Sequence, residues 1–194
     1  MFTSSDGFTQ DTCLLGKHHR AIIPHGVVLL GLWYITGRFD GGKTTFRRKY
    51  PMKIIEIEWC SPEYQSALEL RHDVLRGPLG LKLTAEELDG EHAQLHFAVM
   101  DKDEVVATLV ARPESSGVVQ FRQMAVRPDQ QRSGKGTELL KHCEEKIREK
   151  GFSEIHLNAR QTCLPFYEKL GYQPIGDEFE EVTLKHQKMV KKLS

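Results

Sequence analysis

From Met52 onward the sequence predicts a mixed α/β (α+β) fold, with a mostly antiparallel central sheet flanked by helices. Three observations carry that expectation. Segments of strand period and helical period alternate along the chain, three consecutive apolar β-branched runs are joined by short polar turns, and a glycine-bearing loop leads from the last run into an amphipathic helix.

The elements follow in order. Ile55, Ile57 and Trp59 alternate with Glu56 and Glu58, the period of a half-buried strand. Ser61-Pro62-Glu63 reads as a helix cap with proline in the first turn, and Tyr64, Ala67, Leu68, Arg71, Val74 and Leu75 keep helical spacing until Gly77-Pro78. Thr84 with Glu87 forms a capping box for a short second helix, which Asp89-Gly90 ends. Residues 95–100, 105–112 and 118–126 are strand-like runs separated by polar turns, which suits an antiparallel meander. A helix follows with Leu139, Leu140, Cys143 and Ile147 on one face, closed by Lys150 and Gly151. Residues 155–159 form the next strand. Thr162 caps a helix with Pro165 in its first turn and Gly171 at its end, and strands near 172–175 and 182–190 complete the sheet.

The chain's 194 residues suit one domain. Residues 1–51 lack a sustained period apart from one apolar run. We read them as an N-terminal extension, flexible or non-native, ahead of a natural start at Met52, with the domain spanning 52–194. Lys plus Arg and Asp plus Glu each total 27, so there is no basic footprint for nucleic acid and no polybasic membrane signal. The apolar run at 21–36 is interrupted by Pro24 and His25 and falls short of the ~20 residues that span a bilayer. Lys17 and Arg20 precede it, but residues 37–50 turn basic and show no small-residue cleavage pattern, so no signal peptide is expected. Cys13, Cys60, Cys143 and Cys163 are scattered without CxxC or Cys/His ligand spacing, which suggests neither a zinc site nor a disulfide framework. A cytoplasmic protein without a metal fits these features.

The chemistry centres on Gln131-Arg132-Ser133-Gly134-Lys135-Gly136, between a strand and a helix. Unpaired amides and the positive end of the helix dipole point the same way there, and glycines 134 and 136 let the backbone approach a diphosphate. Taken with Met124-Ala125-Val126 before it and Phe166-Tyr167-Glu168-Lys169-Leu170-Gly171-Tyr172 after it, the loop resembles the GNAT superfamily of acyl-CoA-dependent N-acyltransferases. Its acyl-CoA motif, Gln/Arg-x-x-Gly-x-Gly/Ala, is matched in full by residues 131–136. The order of elements from Met52 onward also follows that fold, whose central strands splay apart. Phe179-Glu180-Glu181, Leu184, His186 and Met189 resemble the C-terminal signature of its ElaA-like branch, in which the places of Lys185 and Arg160 are usually proline and glutamine.

The resemblance implies transfer of acetyl from acetyl-CoA to a primary amine of a small molecule, by direct attack through a tetrahedral intermediate. Backbone groups of Met124, Ala125 and Val126 would hold pantetheine as an added strand, and one amide would face the thioester oxygen. Gln131, Arg132, Ser133, Gly134, Lys135, Gly136 and Thr137 would hold the diphosphate. Arg160 stands where many members place an asparagine on the pantetheine arm. Tyr167 would protonate the departing thiolate, although Leu164, Tyr167 and Leu170 share a helical face and suit core packing equally. Gln123 cannot serve as the general base, which leaves His186, Glu181, His96 or a water chain. Glu86, Glu87, Asp89 and Glu91, with Asp177, Glu178, Glu180 and Glu181, fall in the two segments that flank the acceptor cleft in this family, where they favour a cationic amine or simply solvate loops. A homodimer fits the family as well.

Three other readings are open. One is a GNAT fold that only senses acyl-CoA, and another is one half of an assembly whose partner supplies the acceptor site. The third is a nucleotide-binding P-loop at Gly37-Arg38-Phe39-Asp40-Gly41-Gly42-Lys43-Thr44, which Pro51 and the strand at Ile55 leave too little room for its helix.

Overall fold

The computed structural model describes residues 52–194, so the extension expected over 1–51 and the P-loop pattern within it lie outside the described residues. The described residues form strands β1 (Lys53–Ile57), β2 (Leu95–Asp101), β3 (Glu104–Ser115), β4 (Val118–Val126), β5 (Glu154–Arg160), β6 (Gln173–Glu181) and β7 (Leu184–Lys192). Their α-helices are α1 (Pro62–Arg71), α2 (Ala85–Leu88), α3 (Lys135–Glu149) and α4 (Leu164–Glu168). One mixed sheet runs β1-β2-β3-β4-β5-β7-β6, antiparallel throughout except for the parallel pair β4 and β5. No helix among the described residues is long and apolar enough to cross a membrane.

Local chemistry explains most boundaries. Ser61 Oγ accepts from the Tyr64 amide at 3.1 Å, and Pro62 opens α1 where its missing N–H is no loss. The Thr84–Glu87 capping box closes in both directions, at 3.3 and 2.9 Å. Beyond Arg71 the helix continues as a π-helical turn, His72–Arg76, and stops at Gly77-Pro78.

Three expectations need correction. The first strand ends at Ile57, and Trp59 lies half-exposed in the turn beyond it. Thr162 caps nothing, because the chain enters α4 through a 3₁₀ turn, Gln161–Cys163, that leaves Cys163 at the cap. The final hairpin is longer and later than expected: β6 reaches Glu181, so Phe179-Glu180-Glu181 is strand, and the turn falls at Val182-Thr183.

The sheet carries a core on each face. On one, Leu139, Leu140, Cys143 and Ile147 of α3 pack on Phe97, Val99, Leu109 and Phe121. On the other, Tyr64, Ala67 and Leu70 of α1 pack on Ile57, Ala98 and Ala125. Strand β3 is covered on both sides, so Val105 through Ala111 is a continuous buried run rather than an alternating one.

Beneath α1 sits a charged cluster. Arg71 and Glu91 are 1 % and 0 % exposed and meet through two bonds, Nη1 to Oε1 at 2.8 Å and Nη2 to Oε2 at 2.9 Å. Tyr64 donates its hydroxyl to Glu91 Oε2 at 2.7 Å, and Arg71 Nη1 also donates to Gln123 Oε1. His96 Nε2 lies 2.8 Å from the Glu91 carbonyl. Such a pair is no better than a well-packed apolar substitute, but losing one member strands a buried charge.

Arg71→Met should therefore lower unfolding free energy by about 3–5 kcal/mol in urea denaturation, with Arg71→Met/Glu91→Leu recovering much of the loss. Burial also pushes the His96 imidazole below its ordinary 6.5, so the unfolded chain takes up a proton that the folded chain refuses. Stability should be full above pH 6.5 and fall as the pH drops below it, and His96→Asn should flatten that slope in denaturant titrations.

Candidate active site

The site begins with two strands that part. β4 and β5 pair only from Val118 to Phe121 against Glu154 to Leu157. β4 stays bonded to β3 as far as Val126, and β5 to β7 as far as Arg160, so the sheet opens into a fork. A bulge turns β4 at that point. Val110 faces Arg122 and Thr108 faces Ala125, which leaves Gln123 and Met124 together opposite Leu109, with Gln123 at φ +50°. An inserted residue of this kind bends a strand and sharpens its twist.

The fork exposes main chain. The Arg127 amide donates to the Val106 carbonyl at 2.9 Å, toward β3. Strand alternation then turns the polar groups of Met124 and Val126 away from β3 and into the opening. Gln131 Nε2 donates to the Val126 carbonyl at 3.1 Å, so the Gln131 side chain ties the loop to the strand.

That loop closes its first amide, Gln131, on the Pro128 carbonyl and leaves those at the start of α3 free. A 3₁₀ turn, Pro128–Gln130, precedes it, and Arg132 (φ +58°) and Gly134 (φ +89°) both adopt left-handed backbone. Gly134 caps α3 without a side chain, and the first bond of the helix is from the Glu138 amide to Gly134 at 3.0 Å. The amides of Lys135, Gly136 and Thr137 thus point out of the helix end beside the fork. Ser133 Oγ donates to the Gln130 carbonyl and Lys135 Nζ to Gln130 Oε1, while Arg132 reaches into solvent. A Cβ on Gly136 would stand 3.3 Å from Met124 Cε and 3.5 Å from Val126 Cγ2, so a larger residue there would have to push the Met124 end group aside. Shape and polarity there fit a diphosphate on the helix end and an extended chain along β4.

The two faces of the fork differ. On the α3 face, Tyr167 reaches from α4 across the opening to Met124, its hydroxyl 3.7 Å from Sδ. Its ring makes edge contacts with Phe166 and Tyr172. Burial, with a smaller push from Cys163, raises this phenol well above its ordinary 10, so it keeps its proton, which points at a weak acceptor. The ring packs against the core while the hydroxyl points at Met124 Sδ.

On the α1 face, Arg160 at the tip of β5 donates through Nη2 to the Leu75 carbonyl at 3.0 Å, so its side chain crosses toward the turn after α1. His186 pairs with Arg160 across β5 and β7 and therefore shares that face. The imidazole stacks on Phe179 and holds its Nδ1 2.9 Å from the Leu184 carbonyl, which assigns the proton to Nδ1 and the lone pair to Nε2. Glu181 is exposed and accepts from Asn158 Nδ2 at 2.8 Å. His96 is buried on the Glu91 carbonyl, away from solvent.

Two members of the acidic wall expected around the cleft are neutralised by arginines, and two more are hydrogen-bonded to neutral amides. Glu91 is the buried partner of Arg71, Glu87 is paired with Arg76, Glu178 holds Gln161 and Glu181 holds Asn158. Two residues here went unread in the sequence: Arg122, facing the cleft, and the bulge at Gln123. The signal was the adjacent polar pair Arg122-Gln123, which breaks the two-residue alternation begun by Val119, Gln120 and Phe121. Among the described residues no cluster of His, Cys, Asp and Glu has the arrangement to hold a metal ion.

Comparison with known proteins agrees with this geometry. A family model described as an acetyltransferase (GNAT) domain matches residues 79–193. The uncharacterized N-acetyltransferase YitI of Bacillus subtilis is 25 % identical over 133 residues, covering 66 % of this chain and 88 % of YitI. A Lactobacillus plantarum protein assigned as an N-acetyltransferase superposes with a TM-score of 0.67 at 25 % identity, covering 74 % of this chain and 99 % of that one. Escherichia coli ElaA shares the fold, with a TM-score of 0.63 at 18 % identity over 72 % of this chain and 99 % of its own. With more than half of its residues matched by the family model and a forked seven-stranded sheet to go with them, the chain belongs to the GNAT acetyltransferases.

Proposed function

We propose that residues 52–194 transfer the acetyl group of acetyl-CoA to a primary amine of a small molecule by direct attack. The observation that carries this reading is the meeting of three features at one fork: the free amides of residues 135–137 at the start of α3, the main chain of Met124 and Val126 turned away from β3, and the protonated phenol of Tyr167.

The loop amides and the start of α3 hold the diphosphate, with Arg132 and Lys135 adding charge at the rim. Met124 and Val126 hold pantetheine through main-chain groups, and an amide of this stretch faces the oxygen on which negative charge develops. Tyr167 donates its proton to the departing thiolate. His186, whose Nδ1 is held by the Leu184 carbonyl, is the base we favour for stripping the ammonium, with Glu181 close behind it on the same face. Arg160 braces β5 against the turn after α1 and so sets the width of the fork beside the pantetheine arm.

Tyr167→Phe should lower kcat by about 10²–10⁴-fold in a thiol-release assay, with the Kd for acetyl-CoA unchanged in calorimetry. Retained turnover in that variant would remove Tyr167 as the donor, whereas tight acetyl-CoA binding without thiol release for any amine would recast the protein as a sensor. Gly134→Val places a β-branched residue at φ +89°, which costs about 1–2 kcal/mol in backbone strain and should weaken acetyl-CoA binding about 5- to 30-fold.

A further inference from the structure

With Glu91 and Glu87 taken up by Arg71 and Arg76, a half-buried guanidinium on the α1 face is left without an ion-pair partner among the described residues. Arg122 is the first residue of β4 beyond the fork. By register it lies opposite Val110 and on the same side of the sheet as Arg112, which opposes Gln120 one step away. The bulge then sets Gln123 beside it on that side, where Gln123 is bonded to Arg71 beneath α1.

Arg122 is half-buried, and no carboxylate among the described residues comes within ion-pair reach of it. Arg112 has Glu114, Arg71 has Glu91, Arg76 has Glu87 and Arg127 has Asp129 and Glu104, and Arg160 is bonded to the Leu75 carbonyl, whereas Arg122 has neither a carboxylate nor a carbonyl partner among the described residues. Its surroundings also oppose its charge. Burial and the fields of Arg112 and Arg71 press on it, while Glu91 and Glu181 relieve it only from a distance. Two more donors near it are unsatisfied: Arg71 Nε and Gln123 Nε2 are buried without acceptors, and Arg71 is 99 % buried. A half-desolvated guanidinium in a cleft, backed by spare donors and in ion-pair contact with no carboxylate, suits a planar anion.

We infer that Arg122 binds a carboxylate on the acceptor, so that the preferred substrates are amines that carry a carboxylate rather than polyamines or other polycations. This rests on the acetyl-transfer reading above and narrows its substrate class. Anchored at Arg122, an aminocarboxylic acid extends its amine along the α1 face toward the mouth of the fork, where β4 and β5 part.

The test uses matched acceptors, aminocarboxylic acids of increasing length each paired with its own carboxamide, with polyamines alongside. In thiol-release assays on the full chain, the acids should exceed their carboxamides in kcat/KM by about tenfold or more. Arg122→Gln should lower kcat/KM for the acids by about 10- to 150-fold and for the carboxamides by much less, with acetyl-CoA affinity within about twofold of wild type. Arg122→Lys, which keeps the charge, should restore part of the preference and so exclude a folding defect. Carboxamides or polyamines used as well as the acids, or an equal loss on both members of each pair in Arg122→Gln, would overturn the inference while leaving acetyl transfer intact. Calorimetry of N-acetyl amino acids against the CoA-loaded protein separates the two ideas if no amine turns over. Binding that needs the carboxylate and Arg122 would keep this inference and sink the acetyl-transfer reading, and no binding would sink the inference.

Discussion

Strands β4 and β5 share hydrogen bonds only over the stretch from Val118 to Phe121, and the rest of the site follows from how they separate. A parallel pair that continued to Val126 would consume the main-chain groups of Met124 and Val126 in the ladder. The bulge at Gln123 and Met124 prevents this by bending β4 while its other edge remains bonded to β3. The opening is a property of the backbone, held from both sides by strands that are themselves fully paired.

What holds the bulge is the buried cluster beneath α1. Gln123 keeps φ +50°, a conformation that a non-glycine residue adopts at some expense, and its side chain is bonded to Arg71, which Glu91 fixes through two further bonds. Glu91 stands just past the Gly90 turn and is also bonded to Tyr64, so α1, the segment after α2 and β4 are tied at one point. An apolar cluster would pack as well but would not fix the direction of a bulged strand. We regard geometry, more than stability, as what this ion pair contributes.

The fork also separates two chemical environments. Its α3 face offers amides at a helix start, two cationic side chains at the rim and a phenol that burial keeps protonated. Its α1 face offers an imidazole, an exposed carboxylate held by Asn158 and the guanidinium of Arg122. The roles proposed above divide the same way, with the diphosphate and the proton donor on the first face and the attacking amine with its anchor on the second.

The sequence by itself determined most of the elements and the loop. Caps at Ser61 and Thr84, the α3 face of Leu139, Leu140, Cys143 and Ile147, the strand at 118–126 and the glycine pattern at 131–136 are signals written within a few residues, because capping bonds, side-chain periodicity and backbone freedom are local. Which charges are paired was set by the closed fold. Glu87 and Glu91 read as an acidic wall until Arg76 and Arg71 are brought against them, and Arg122 reads as an ordinary strand residue until the bulge and the fork leave it facing the cleft without a partner. Pairing across dozens of residues depends on how sheet and helices close, and electrostatic sign in a cleft is what remains after that closure.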